Sequence, residues 1–142
     1  MTNAIDTCGL HKSFSGVTAA ANVSVAVPTG AVIGLIGANG AGKTTFVNMV
    51  TGYIKPDRGE ILFHGADITG HTPRAITRMG MSRSFQIPQT FLGLSVTQNL
   101  LVSVGIAALG NGSFLSPVTP AGNAESVALV EDILERFNLQ NY

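Results

Sequence analysis

The residues best suited to chemistry lie in one stretch, residues 37–45, which reads GANGAGKTT. Gly37, Gly42, Lys43 and Thr44 fall at the spacing G-x-x-x-x-G-K-[ST], which is typical of a loop that wraps a polyphosphate. Backbone N–H groups can surround phosphate oxygens closely only where the wrapping residues lack a bulky Cβ, so glycines line such a loop. The sequence therefore predicts a phosphate-binding loop.

The predicted loop assigns a role to the side chains that it carries. The pattern places the Lys43 ammonium on the β- and γ-phosphates of a nucleoside triphosphate, so Lys43 is both a binding and a catalytic candidate. The Thr44 hydroxyl is the predicted ligand of Mg²⁺. A helix that begins directly after the loop would add its N-terminal N–H groups and the positive end of its dipole. The predicted nucleotide-binding residues are Gly37, Ala38, Asn39, Gly40, Ala41, Gly42, Lys43, Thr44 and Thr45.

The elements on either side of the loop are those that the pattern requires. Residues 31–36, AVIGLI, form a short apolar run typical of a buried parallel strand. Residues 43–52, KTTFVNMVTG, are predicted to form a helix that Gly52 ends. This order of strand, loop and helix favours a functional motif over a chance match in a chain with 17 glycines. The chain is therefore predicted to have an α/β fold.

Periodicity and turn residues predict the remaining elements. Ser15 and Gly16 are expected to join the first two strands, while Thr72 caps a helix that has Pro73 at its first position. A flexible connection is expected over residues 110–123. The predicted strands are residues 4–14, 22–27, 60–65 and 81–85, and the other predicted helices are residues 72–80, 95–109 and 124–137.

Composition excludes several classes of protein. Eight basic and eight acidic residues cancel among 142, so no bulk charge favours nucleic acid or an anionic membrane surface. Cys8 is the single cysteine and the N-terminus has no secretion signal, so a reducing cytoplasm is expected. The apolar residues 100–109 are too few for a membrane-spanning helix. Residues 84–124 carry no charge, which predicts contact with a partner or self-association.

Three longer segments, residues 10–52, 55–69 and 74–101, carry a family resemblance. Together they resemble the ATP-binding subunit of an ABC transporter, and RMGMSRSFQ with FLGLSVTQNL is closest to the branched-chain amino-acid importers. The resemblance implies the P-loop NTPase core of an ABC-type nucleotide-binding domain, with an antiparallel β-subdomain and the Walker A strand, loop and helix. It places that core in residues 1–90 and the start of an incomplete helical subdomain in residues 91–142.

The same resemblance implies further site residues, cofactors and partners. Phe14 falls where the family has an aromatic ring that stacks on adenine, and Gln86 falls where a glutamine contacts Mg²⁺ and the attacking water. Gln86 is therefore a catalytic and metal-binding candidate. The implied ligands are ATP or ADP with Mg²⁺. The implied partners are membrane-spanning permease subunits and a second ATPase subunit, at the cytoplasmic face of the inner membrane.

Three parts of a complete family member have no counterpart in this sequence: the LSGGQ-type signature, a strand that ends in an acidic pair, and a switch histidine. Residues 127–132, VALVED, are similar in composition to the acidic strand. A helix is predicted there instead, because apolar residues fall at helical spacing, namely Val127, Val130, Leu134 and Phe137. The chain is therefore expected to be an N-terminal fragment that binds ATP or ADP and hydrolyses ATP poorly.

Two alternatives to a transport ATPase stay open at this point. The first is a soluble P-loop kinase or GTPase-like enzyme that acts on a small molecule. Residues 67–70 match the D-x-x-G motif of GTPases, although the usual preference of Asp67 for a turn also accounts for them. The second is a structural fragment that binds no nucleotide. Preference for adenine over guanine would separate the transport ATPase from the first alternative.

Overall fold

The computed structural model of the chain describes residues 2–85, 90–108 and 124–140. It divides into two compact units, residues 1–84 and residues 85–142. Within the described part of the chain, no helix combines the length and the hydropathy needed to cross a membrane.

The first unit contains a four-stranded antiparallel sheet. Its order is β2-β1-β3-β4, with β1 paired to both β2 and β3. Ser15 (φ 46°) and Gly16 (φ 86°) make the tight turn between β1 and β2, as expected from the sequence. The strands are β1, Asn3–Phe14; β2, Val17–Pro28; β3, Arg58–Phe63; and β4, Ala66–Asp67.

Several strand boundaries differ from the sequence prediction by one to five residues, and two of the differences have a clear local cause. β2 begins at Val17 and not at residue 22, because the hairpin register continues to the turn, where Phe14 faces Val17. β3 ends at Phe63, because His64 and Gly65 both have positive φ and form the turn into β4.

Two helices pack with the sheet to form the core of the first unit. Helix α1 (Lys43–Val50) follows the glycine-rich loop. Helix α2 (Pro73–Arg78) has Thr72 as its N-cap, whose Oγ1 accepts a hydrogen bond from Ala75 N at 3.3 Å. These helices confirm the predicted positions, although each ends about two residues earlier than expected. The buried cluster consists of Leu10, Ala20, Met49, Ile61, Ile68 and Ile76.

Residues 31–36, predicted as a buried parallel strand, have no regular secondary structure. Val32 is 99% exposed and Ile36 is 94% exposed. The prediction is wrong because a parallel strand needs neighbours that accept and donate ladder hydrogen bonds, and no strand in the described residues pairs with this segment. Residues 81–85 are likewise not a strand, since they join none of the four strands.

The second unit contains two helices that pack against each other, α3 (Val96–Ala108) and α4 (Ala124–Arg136). Ser95 and Gln98 form a reciprocal cap at the start of α3, with bonds of 2.9 and 3.2 Å between their side chains and backbone amides. Both helices confirm the sequence prediction. VALVED lies within α4, where Val130 is 1% exposed, so this segment is not an acidic strand end.

Candidate phosphate-binding site

The loop of residues 37–42 leads directly into helix α1, as the spacing of its glycines predicts. Gly42 is the N-cap of α1 and has φ of +84°, a conformation that L side chains rarely adopt. A Cβ built on Gly42 would lie 2.1 Å from the backbone oxygen of Ala19 on β2. Only glycine therefore fits at this position, where α1 begins against the sheet.

The Lys43 ammonium bends back over the loop that precedes it. Its Nζ donates hydrogen bonds to Gly37 O at 2.5 Å and to Ala38 O at 2.7 Å. This ammonium has three N–H donors, and the two carbonyls engage two of them. The positive charge is thus fixed beside the glycine-rich backbone, where a bound anion would meet it.

The first turn of α1 also favours an anion. The bond from Phe46 N to Gly42 O, at 2.9 Å, is the first hydrogen bond of the helix, so the amides of residues 43–45 precede its ladder. No side chain caps Gly42, and the first turn has no acidic residue. A polyphosphate would accept hydrogen bonds from these amides and lie at the positive end of the helix dipole.

The loop carries a hydroxyl group that could take part in holding a metal ion. Thr44 is exposed next to Lys43, so its hydroxyl is accessible to a metal at the loop. The described residues contain no group of three His, Cys, Asp or Glu side chains that could hold a metal ion. Mg²⁺ prefers oxygen ligands, and the Thr44 hydroxyl is one that this loop could offer.

Phe14, the predicted adenine-binding residue, is the last residue of β1 and is 44% exposed. It faces Val17 across the hairpin, two residues before Ala19, whose oxygen abuts Gly42. Strand spacing is ~4.8 Å and two strand residues span ~7 Å, so Phe14 lies at the end of the sheet that carries the phosphate loop. This arrangement allows one nucleotide to reach both.

Lys12 lies beside Phe14 and is paired with Asp57, and neither residue is predicted from the sequence. Lys12 Nζ lies 5.5 Å from the centroid of the Phe14 ring and 2.6 Å from Asp57 Oδ1. The hydrogen bond from Lys12, with one from Ser13 N, lowers the pKa of Asp57 below its ordinary value of 3.8. The alternation of β1 could have placed Lys12 on the same face as Phe14, but no local pattern brings in Asp57, 45 residues later.

Gln86 lies outside the described residues, so its predicted catalytic and metal-binding role stays a prediction. Shortly before it, Arg83 lies over the Tyr53 ring at 5.2 Å. Its Nη1 donates to Asn48 Oδ1 at 2.6 Å and to Thr51 Oγ1 at 3.2 Å. These contacts join the chain before Gln86 to the C-terminal end of α1, the helix that begins at the phosphate loop.

A family model described as ABC transporter matches residues 20–142, which include most of β2, the glycine-rich loop, β3, β4 and the four helices of the described residues. The chain belongs to the ABC transporter family. This membership does not favour the kinase and GTPase alternatives. Asp67, the first residue of the D-x-x-G match, accepts a hydrogen bond from Thr69 N at 2.8 Å and so stabilises a turn.

Individual members of the family support the same fold. A probable branched-chain amino acid transport ATP-binding protein LivG from Archaeoglobus fulgidus is 42% identical over 99 residues, 70% of this chain and 38% of that protein. A lipopolysaccharide export system ATP-binding protein LptB from Acidithiobacillus ferridurans is 40% identical over 101 residues, 71% of this chain and 42% of that protein. The solved ATP-binding cassette MJ1267, in its ADP conformation, has a TM-score of 0.75 and 33% identity over 98% of this chain and 55% of that one.

The matched stretch thus spans less than half of these curated relatives and about half of the solved cassette. Over that stretch the fold is that of an ABC nucleotide-binding cassette, with its antiparallel sheet, its glycine-rich loop and its helices.

Proposed function

We propose that this chain is the nucleotide-binding portion of an ABC importer ATPase and that it binds MgATP and ADP at the loop of residues 37–45. The Lys43 ammonium, which Gly37 O and Ala38 O fix beside the loop, is the observation that carries this proposal. It combines with the first-turn amides of α1 in a site that a polyphosphate fits by charge and by geometry.

Each part of the loop would contribute to binding in its own way. Backbone amides of the loop, namely those of Ala38, Asn39, Gly40 and Gly42, would donate to phosphate oxygens. The Ala41 amide instead donates to Ala38 O at 3.2 Å and so shapes the loop. Lys43 would neutralise charge on the β- and γ-phosphates, and Phe14 would stack on the adenine. A phenyl ring stacks on any base, so Phe14 adds affinity more than base selectivity.

The magnesium ion would be held by the Thr44 hydroxyl, the phosphates and Gln86. When bound, it neutralises phosphate charge during transfer to water. Gln86 suits the orientation of the attacking water, because a neutral amide can orient water through its oxygen without adding charge. The 142-residue sequence has no counterpart of the family signature or acidic strand, so we expect this chain by itself to bind ATP and hydrolyse it poorly.

The transported substrate is proposed from the relatives and from residues 78–101. The A. fulgidus protein is named for branched-chain amino acid transport, and the segment RMGMSRSFQ resembles that subfamily. We therefore assign the chain to import of branched-chain amino acids, with permease subunits and a second ATPase subunit as partners at the cytoplasmic face of the membrane. Lipopolysaccharide export is the second candidate, because the LptB match is of similar identity.

Nucleotide competition tests the binding proposal. A fluorescent ATP analogue is displaced by ATP, ADP, GTP or inorganic tripolyphosphate, in wild type and in Lys43→Met. Loss of a hydrogen bond to a charged group is worth ~1.5–3 kcal/mol, so Lys43→Met is expected to weaken ATP binding about 10- to 150-fold. Lys55→Met removes an exposed lysine outside the loop and serves as the matched control. Equal binding by wild type and Lys43→Met would contradict the proposal.

A chimera tests the transported substrate. The residues of the A. fulgidus relative that match this chain are replaced by this chain, and the chimera is produced in cells that lack the corresponding ATPase. Restored uptake of labelled leucine supports the amino-acid importer, provided that Lys43→Met abolishes it. A second chimera places this chain in the LptB protein in the same way. Restored lipopolysaccharide export by this second chimera, without restored leucine uptake by the first chimera, would favour the second candidate.

A further inference from the structure

The C-terminal end of β1 extends beyond its pairing with β3. The last pair between these strands joins His11 to Arg58, whereas the pairing of β1 with β2 continues to Phe14. The final residues of β1 therefore have a strand on one side only. A side chain at such a position needs further contacts if it is to hold one orientation.

Asp57 supplies those contacts. Its backbone N donates to His11 O at 2.8 Å, its Oδ2 accepts from Ser13 N at 2.8 Å, and its Oδ1 accepts from Lys12 Nζ at 2.6 Å. Three consecutive residues before Phe14 are thus bonded to one residue of the turn that precedes β3. Asp57 takes the place of the missing strand at this edge of β1.

The contacts continue to the aromatic ring itself. Lys12 Nζ, held by Asp57, lies 5.5 Å from the centroid of the Phe14 ring. A cation at this distance interacts with the ring face by its quadrupole. One face of Phe14 is thereby engaged, and the ring is still 44% exposed, which leaves surface on which a base can stack.

We infer that Asp57 is a positioning residue for nucleotide binding: through Ser13 and Lys12 it orients Phe14 for stacking on the base. The inference rests on the proposed function, since it assumes that Phe14 binds adenine. It predicts that Asp57 acts only on the part of the affinity that comes from the base. The phosphate loop does not depend on Asp57, because none of the described hydrogen bonds of Asp57 reaches residues 37–45.

The test compares two ligands, MgATP and inorganic tripolyphosphate, the second of which has no base. Asp57→Ala is expected to weaken MgATP binding about 3- to 10-fold, a part of the roughly 5- to 150-fold loss expected for Phe14→Ala, with tripolyphosphate changed by less than about twofold. Lys12→Met is expected to act in the same direction. Asp67→Ala is the matched control, because Asp67 also bonds a backbone amide at 2.8 Å but lies on β4, which does not pair with β1.

Each alternative outcome has a distinct meaning. Equal weakening of both ligands by Asp57→Ala would show a merely structural role and overturn the inference. No change with Asp57→Ala, while Phe14→Ala weakens MgATP, would also overturn it and leave the proposed function intact. No change with Phe14→Ala, or no nucleotide binding by wild type, would refute the proposed adenine contact and the inference with it.

A fluorescence measurement reads the orientation of the ring directly. The chain has no tryptophan, so Phe14→Trp introduces a single tryptophan at the stacking position. We expect MgATP, but not tripolyphosphate, to quench its emission. Adding Asp57→Asn, the conservative change, is expected to lower the anisotropy of the free protein and weaken the quenching. Unchanged anisotropy and unchanged quenching in the double variant would overturn the inference.

Discussion

Gly42 and Gly40 allow a controlled test of how the phosphate loop joins the sheet. Their φ angles are nearly identical, at +84° and +81°. Their surroundings differ, because a Cβ on Gly42 would lie 2.1 Å from Ala19 O, whereas a Cβ on Gly40 would meet nothing within 4 Å. Substitution by alanine therefore adds the same backbone strain at both positions and a steric clash at only one.

The expected magnitudes follow from these two contributions. Left-handed backbone costs an L residue ~1–2 kcal/mol, so Gly40→Ala is expected to lower the free energy of unfolding by about that amount. At Gly42 the Cβ must also move away from backbone, from 2.1 Å to the 3.0 Å below which real Cβ atoms essentially never approach. Overpacking of this kind costs ~1–3 kcal/mol, so Gly42→Ala is expected to lose ~2–5 kcal/mol in all.

Urea unfolding followed by far-ultraviolet circular dichroism measures both losses, and a MgATP titration of the folded variants measures the site. Gly16→Ala, in the β1–β2 turn, is a further control, because its φ is +86° and its Cβ would also meet nothing within 4 Å. Equal destabilisation by Gly42→Ala and Gly40→Ala would refute the argument that close approach of β2 and the start of α1 requires a glycine there.

Three further predictions concern side chains of the first unit. Arg83→Met removes the hydrogen bonds to Asn48 and Thr51, and urea unfolding is expected to show a loss of ~1.5–3 kcal/mol. Lys43→Met is expected to change the unfolding free energy by less than ~1 kcal/mol, because its partners are exposed carbonyls, while a MgATP titration shows strongly weakened binding. The pKa of Asp57 is lowered from 3.8, so the stability that its carboxylate contributes is full above about pH 4 and is lost as pH falls through the folded-state pKa. Asp57→Asn is therefore expected to lose less stability than wild type when urea unfolding is repeated on acidification to about pH 2.

The sequence predicted the parts of the fold that depend on local chemistry. The hairpin at Ser15 and Gly16, the cap at Thr72 and the start of α1 each follow from the conformational preferences of a few adjacent residues. The phosphate loop was found for the same reason, since its glycines and Lys43 are contiguous.

Features that depend on distant residues were predicted wrongly or missed. The apolar pattern of residues 31–36 indicates that a strand there would be buried, but it does not specify which strands would pair with it. The contact of Asp57 with Lys12 joins residues 45 positions apart, and no periodicity connects them. The proposed role of Phe14 came from family resemblance, because a phenylalanine on a strand is usually a core residue. Its 44% exposure is visible only in the structure.

The central claim is that the backbone of residues 37–45 binds the phosphates of a nucleotide. Backbone amide NMR spectra recorded during a titration with MgATP test it most directly, because they locate the ligand on the chain. The account predicts saturable shifts that are largest for the amides of Gly40, Gly42, Lys43 and Thr44, and that disappear in Lys43→Met. A folded wild-type chain whose loop amides do not shift, or whose largest shifts lie outside the loop and the region of Phe14, would contradict it.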